Sequence, residues 1–256
     1  MLGSPRGASK VSGGAIQRGQ RVAIRGILFD KDGTLLDYWR TWVPINRQAA
    51  LAVAAGNERL ARELLRLGGH DPDTDKVQAG APLAAGDFED IARAFAAHPE
   101  APPASEIVPV IERVFLAGGA VHSALIAGAL ETMVELKRRG FRIGIATNDS
   151  VAGLEASLAQ HGILPLLDFA AGCDSGYGAK PDPRMVAGFC ASIGILPGEV
   201  AVVGDAIHDL AMGRTANAGL AIGVLSGTSS REDLDGLAHI IVESVNDLPG
   251  LPEFQR

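Results

Sequence analysis

Short apolar runs rich in β-branched residues recur along the chain, each followed by a stretch of helical periodicity. Val22 to Phe29 reads VAIRGILF, Phe141 to Ala146 reads FRIGIA, Val200 to Val203 reads VAVV and Leu220 to Val224 reads LAIGV. A weaker run lies at Leu167 to Ala171, and Ile240 to Val242 offers one more. The second run follows an amphipathic stretch that closes on Lys137, Arg138, Arg139 and Gly140, the basic residues and glycine that suit a helix C-terminus. Strands alternating with helices predict an α/β fold of parallel βαβ units, with helices on both faces of the sheet.

The first interval breaks this rhythm. A βαβ unit needs roughly thirty residues, yet far more chain separates Asp30 from Thr147. The excess reads as helical. Phe88, Ile91, Ala92 and Phe95 follow the i, i+3, i+4, i+7 stripe, Leu60, Leu64 and Leu67 make another, and Ile107, Ile111 and Val114 a third. Pro109 is expected at a kink or helix start, and the Pro and Gly clusters at 68–86 and 99–103 at turns. The expected organisation is a flexible N-terminal tail over 1–19, a core formed by 20–36 and 122–256, and a helical insertion over 37–121.

Composition narrows the function classes. A length of 256 residues suits one substantial domain carrying a smaller one, and 47% hydrophobic with 21% charged residues is the profile of a soluble globular protein. A net charge of −7 argues against a broad nucleic-acid-binding surface. No apolar run approaches the length of a spanning helix, so no membrane partner is expected. The basic, Gly-containing start (Arg6, Lys10, Arg18, Arg21) lacks the apolar stretch of a secretory signal, and a cytoplasmic location is expected. The two cysteines, Cys173 and Cys190, lack the spacing of a zinc site or disulfide framework and read as small buried hydrophobes. Neither an HExxH pattern nor a GxxxxGK[ST] loop is present.

Ligands of open α/β sheets bind at the C-terminal strand ends. After the first run come Asp30, Lys31, Asp32, Gly33 and Thr34; after the second, Thr147, Asn148 and Asp149. Lys180 follows the third, beyond the loop SGYGAKP, and Gly204, Asp205 and Asp209 follow the fourth. Asp30, Asp205 and Asp209 would crowd like charges together, which calls for a cation or protons. Their hard oxygens suit magnesium. Magnesium and Lys180 together would let a phosphate dianion approach a carboxylate, and Thr147 and Asn148 could donate to its oxygens. Of the two acids one residue apart, Asp30 can face phosphorus as nucleophile while Asp32, beside the leaving oxygen, acts as general acid and then base. Gly33 permits the sharp exit turn.

The run FDKDGTLLD, from Phe29 to Asp37, resembles the first motif of the haloacid dehalogenase superfamily. Thr147 with Asn148 is similar to its second motif, Lys180 in GAKPDP to its third, and Gly204-Asp205 with Asp209 to its fourth, in the family's order. The resemblance implies a Rossmann-like core and a phosphoenzyme on Asp30, with Asp32 as acid/base. It implies magnesium held by Asp30, the Asp32 main-chain carbonyl and Asp205, with Asp209 assisting, and phosphate held by Thr147 and Lys180. It also implies that the insertion is an α-helical cap of the kind found in phosphoglycolate phosphatases. Dehalogenases of the superfamily lack the second acid of the first motif, so the presence of Asp32 argues against that chemistry.

Several nearby residues read as structural. Lys31 is expected to turn away from the phosphate, Asp37, Asp149, Ser150 and Asp182 to cap or hinge, and His208 to face solvent. Tyr38, Trp39, Arg40 and Arg47 lie at the insertion entrance, where an arginine could clamp a substrate carboxylate or merely pack and carry surface charge. The expected function is a magnesium-dependent phosphatase for a small phosphorylated metabolite, phosphoglycolate-like, acting as monomer or homodimer. A sugar phosphomutase of the same superfamily is the alternative, with a phospho-acceptor signalling domain behind it.

Overall fold

A computed structural model describes residues 23–255; the expected tail over 1–19 and the start of the first run at Val22 lie outside the described residues. Six strands form one parallel sheet: β1 (Gly26–Phe29), β2 (Arg142–Ala146), β3 (Phe169–Ala171), β4 (Val200–Gly204), β5 (Leu220–Val224) and β6 (Ile240–Val242). Their spatial order is β3-β2-β1-β4-β5-β6. The chain therefore winds outward from β1 on one side, then returns to lay β4 against β1 on the other. That reversal opens a crevice at the C-terminal ends of β1 and β4, the usual place for a ligand in such a sheet.

Six helices lie between β1 and β2: α1 (Tyr38–Val53), α2 (Glu58–Leu67), α3 (Pro82–Ala85), α4 (Phe88–Ala96) and α5 (Ala104–His122) form the insertion, and α6 (Ala129–Arg138) leads into β2. Four more follow β2: α7 (Val151–Leu158), α8 (Arg184–Ile193), α9 (Ile207–Thr215) and α10 (Arg231–Leu234). Because strand side chains alternate, β1 sends Ile27 and Phe29 to one face and Leu28 to the other. Ile27 and Phe29 pack with Ile143, Val203, Met133 of α6 and Leu154 of α7. Leu28 packs with Val202, Met185 and Phe189 of α8 and Met212 of α9. Burial on both faces explains why the runs are apolar throughout.

The inserted helices carry their own core, in which Ile45, Ala49, Leu64, Phe95, Ile107 and Ile111 are buried together. The sequence stripes locate this core with two differences. Leu67, the last residue of α2, is exposed and Leu65 is buried instead. Pro109 lies inside α5, which begins at Ala104. Two neighbouring connections join this segment to the sheet: Leu36 bridges Leu125, Asp37 N–H donates to the Ala124 carbonyl at 2.8 Å, and Ile126 N–H donates to Leu35 at 2.9 Å. Asp37 caps α1 by accepting from the Arg40 N–H, and Ser150 caps α7 by accepting from the Gly153 N–H, as their types suggest. Asp182 accepts from the Arg184 N–H, but Pro183 occupies the cap position of α8. Among the described residues, no helix is long and apolar enough to cross a membrane. Both cysteines are free thiols; Cys190 is buried and Cys173 half-buried.

Candidate active site

Asp30 is the first residue beyond β1, and its N–H donates to the Val203 carbonyl of β4 at 2.8 Å. The chain then doubles back: the Leu35 and Leu36 N–H groups both donate to Lys31 O at 2.9 Å. Gly33 makes this turn at φ +87°, and a Cβ there would meet Asp205 Oδ2 at 2.7 Å and Gly227 Cα at 2.8 Å. Both the conformation and the contact demand glycine.

Asp205 follows β4, and Asp209 lies in the first turn of α9. Thr228 N–H donates to Asp205 Oδ2 at 2.9 Å, and Ala206 N–H donates to Asp209 Oδ2 at 3.0 Å. Lys180 Nζ donates to Asp30 Oδ1 at 2.5 Å and to Asp209 Oδ1 at 2.6 Å. Asp30, Lys180, Asp205 and Asp209 are all buried.

Three carboxylates and one ammonium leave an excess of negative charge in a dry site. Burial raises the Asp30 carboxyl to about 7, with Lys180 opposing and Asp209 and Asp32 adding to the rise. Burial also raises Asp205 well above the ordinary carboxyl value, reinforced by Asp30 and Asp209. Burial works to lower Lys180, but the charges of Asp209 and Asp30 outweigh it and raise the ammonium instead.

One oxygen from each of Asp30, Asp205 and Asp209 lies within 4.8 Å of the others. Asp30 Oδ2 is buried with no hydrogen-bond partner. An all-oxygen donor set with a free buried oxygen and surplus negative charge fits a hard divalent cation such as magnesium.

The other predicted residues meet in the same pocket, whose lining includes Asp32, Thr147 and Asn148. Thr147 is buried, and its Oγ1 accepts from the Asp149 N–H at 3.1 Å. Asn148 is already engaged: Nδ2 donates to the Ala85 carbonyl at 2.8 Å, and Oδ1 accepts from the Lys180 N–H at 2.7 Å. Its amide therefore ties the β2 loop to Lys180 and to the inserted segment, where the sequence suggested a donor to phosphate. His208 is half-buried and lines the pocket, with Nδ1 enclosed and unpartnered, where a solvent-facing position was expected.

Two contributors escaped the sequence. Trp42 of α1 donates its Nε1–H to Asp32 Oδ1 at 2.6 Å. Lys31 is fully buried, with Nζ 2.8 Å from Asp32 Oδ1, 2.7 Å from Asp32 Oδ2 and 3.2 Å from Asp149 Oδ2. Burial works to lower the Lys31 ammonium, but the charges of Asp32 and Asp149 outweigh it and raise it. The ammonium also stands 5.1 Å from the Trp42 ring centroid, within cation–π range. The available signal was Lys31 itself: a lysine between two acids, directly after a buried strand, has nowhere to go without a carboxylate partner.

Fold and site together fit a hydrolase of phosphate esters. A family model described as haloacid dehalogenase-like hydrolase matches residues 24–217, and the chain belongs to this family. It is 30% identical over 227 residues to a phosphoglycolate phosphatase of Caulobacter vibrioides, covering 87% of this chain and 88% of that one. It is 29% identical over 199 residues to an N-acetylmuramic acid 6-phosphate phosphatase of Pseudomonas putida, covering 76% and 80%. Among solved structures, CbbY from Rhodobacter sphaeroides in complex with phosphate superposes with a TM-score of 0.67 at 22% identity, over 91% of this chain and all of that one. The protein is a phosphatase of the haloacid dehalogenase type.

Proposed function

We propose that the protein hydrolyses a small phosphate monoester with magnesium, through an aspartyl phosphate on Asp30. The observation that carries the reading is Asp30 itself. It is a buried carboxylate with one oxygen on Lys180 at 2.5 Å and the other unpartnered, at the focus of every strand-end group the motifs supply.

Asp30 attacks phosphorus, forming an O–P bond as the bond to the leaving alcohol breaks. Asp32 gives its proton to the departing oxygen, then takes one from the water that attacks the aspartyl phosphate. Inorganic phosphate leaves and Asp30 is restored. Lys180 holds Asp30 and neutralises charge as the dianion arrives, and Thr147 donates its hydroxyl proton to a phosphoryl oxygen. Asp30, Asp205, Asp209 and the Asp32 main-chain carbonyl would hold magnesium, which would supply further neutralisation of phosphoryl charge when bound. Residues 37–121 act as a cap that excludes water and bounds the leaving-group end of the pocket. Trp42 and Asn148 support this role, since each spans from one part to the other.

The test is inorganic phosphate release from a panel of phosphate monoesters, with magnesium or with chelator, alongside Asp30→Asn. The proposal expects release that requires magnesium and disappears in the variant. Release that persists in Asp30→Asn would rule out this nucleophile.

A further inference from the structure

The inserted helices present a strongly apolar wall to the reacting centre. Tyr38 and Trp42 of α1, Leu83 of α3, Phe88 and Ile91 of α4 and Phe115 of α5 line the pocket. Trp42 and Phe115 rings lie 4.8 Å apart between centroids, and Phe88 and Phe115 rings 6.0 Å, so the three form one continuous aromatic surface.

The polar tips along this wall are already spent. Tyr38 Oη donates to the Leu83 carbonyl at 2.6 Å, Trp42 Nε1 donates to Asp32 at 2.6 Å, and Asn148 Nδ2 donates to Ala85 at 2.8 Å. Among the described residues lining the pocket, Lys180 is the one lysine or arginine, and it is bound between Asp30 and Asp209. Arg47, a candidate carboxylate clamp from its sequence position, instead donates to Asp75 Oδ1 at 2.9 Å and the Pro72 carbonyl at 2.8 Å, outside the lining. His208, beside Asp209 on the sheet side, also lines the pocket, its Nδ1 enclosed and without a partner.

On the side of the inserted helices a leaving group meets mainly hydrocarbon. A carboxylate against this wall would find no lysine or arginine to pair with, and a row of hydroxyls would find few partners there, so both lose hydration for little return. An apolar group gains by covering the aromatic wall. We infer that the pocket selects a phosphomonoester of an uncharged apolar alcohol, an arylalkyl group being the best match to the Trp42–Phe115–Phe88 surface. This rests on the hydrolase reading above and departs from the phosphoglycolate-like leaving group expected from the sequence. It also disfavours the sugar phosphomutase alternative, whose polyol would face the same wall.

The experiment compares kcat/KM of the magnesium-loaded full chain for methyl phosphate, benzyl phosphate, phosphoglycolate and glycerol 1-phosphate. All four are primary alkyl esters, so the pocket rather than leaving-group basicity sets the order. The expected result is benzyl phosphate above phosphoglycolate and glycerol 1-phosphate by about tenfold or more, the scale set by one buried ring. Phe88→Ala should bring the benzyl-to-methyl ratio down severalfold, chiefly through KM. Equal rates, or phosphoglycolate first, would overturn the inference and leave the hydrolase standing. An unchanged ratio in Phe88→Ala would likewise remove the aromatic wall from substrate choice. Absence of release from every ester would overturn both.

Discussion

Trp42 crosses from the inserted helices to the β1 loop and donates its indole N–H to Asp32 Oδ1 at 2.6 Å, while Lys31 Nζ holds Asp32 Oδ2 at 2.7 Å. The carboxylate proposed as acid and base is thus fixed from two sides. One of the groups that fix it belongs to the segment proposed to close over the substrate.

Trp42→Phe removes that N–H and keeps most of the packing against Phe115. A proton-transfer group must sit within hydrogen-bond reach of its target, and small misplacements are costly. The expected outcome is a fall in kcat of about tenfold in steady-state kinetics with little change in thermal stability. An unchanged kcat would show that the indole contact does not position Asp32.

Lys31→Met leaves Asp149 buried without its ion-pair partner. Removing one member of a buried pair costs about 3–5 kcal/mol, most of it the stranded charge. Urea unfolding should show this loss. Adding Asp149→Leu should restore part of it, because the stranded carboxylate is then gone. A double variant no better than Lys31→Met alone would place the lysine's contribution elsewhere.

Magnesium should stabilise the fold. A ligand bound only by the native state adds about 2.7 kcal/mol at a hundredfold excess over its Kd. Thermal unfolding should shift upward by several degrees with magnesium, and Asp205→Asn should remove most of the shift. A melting temperature indifferent to magnesium would count against the cation site at Asp30, Asp205 and Asp209.

Asp168 anchors the edge of the sheet. Its carboxylate accepts from the Ile143 N–H at 2.8 Å and from Arg142 Nη1 at 2.7 Å, and pairs with Lys137. Burial works to raise it, but hydrogen bonds from Lys137, Ile143 and Arg142 outweigh that and hold it below the ordinary carboxyl value. A carboxyl depressed in the folded state binds its proton more weakly there than when unfolded, so it stabilises above the unfolded value and loses that contribution as pH falls through the folded one. Asp168→Asn should therefore cost stability at neutral pH, about 1–3 kcal/mol for charge-assisted bonds. The difference from wild type should shrink below about pH 4. A difference that stays constant with pH would contradict the ion-pair account.

Much of the sheet was legible because a parallel strand covered on both faces must be apolar at successive positions, as ILF and VAVV are. β5 and β6 occupy the residues expected, and β2 and β3 begin one and two residues inside their runs. The polar residues directly after each strand could be read as one group because parallel strands all end at the same edge. Trp42 could not be read this way. Its contact with Asp32 depends on where α1 starts and how the inserted helices lie on the sheet, and no local pattern encodes that. The contacts of Asn148 were hidden for a related reason: its partners, Ala85 and Lys180, are remote in sequence. Of the two readings left open for Arg47, packing with surface charge is the one observed, and its distance from the first motif says nothing about the loop carrying Asp75 that holds it.

The central claim is that Asp30 carries the phosphoryl group. Asp32→Asn with magnesium and acetyl phosphate tests it, because that donor has a leaving group that needs no acid, while hydrolysis of the phosphoenzyme needs the base. Acid-quenched protein examined by peptide mass spectrometry should carry one phosphoryl group, located on Asp30 and absent from the Asp30→Asn, Asp32→Asn double variant. A protein without bound phosphoryl, or one modified at another residue, would contradict the account.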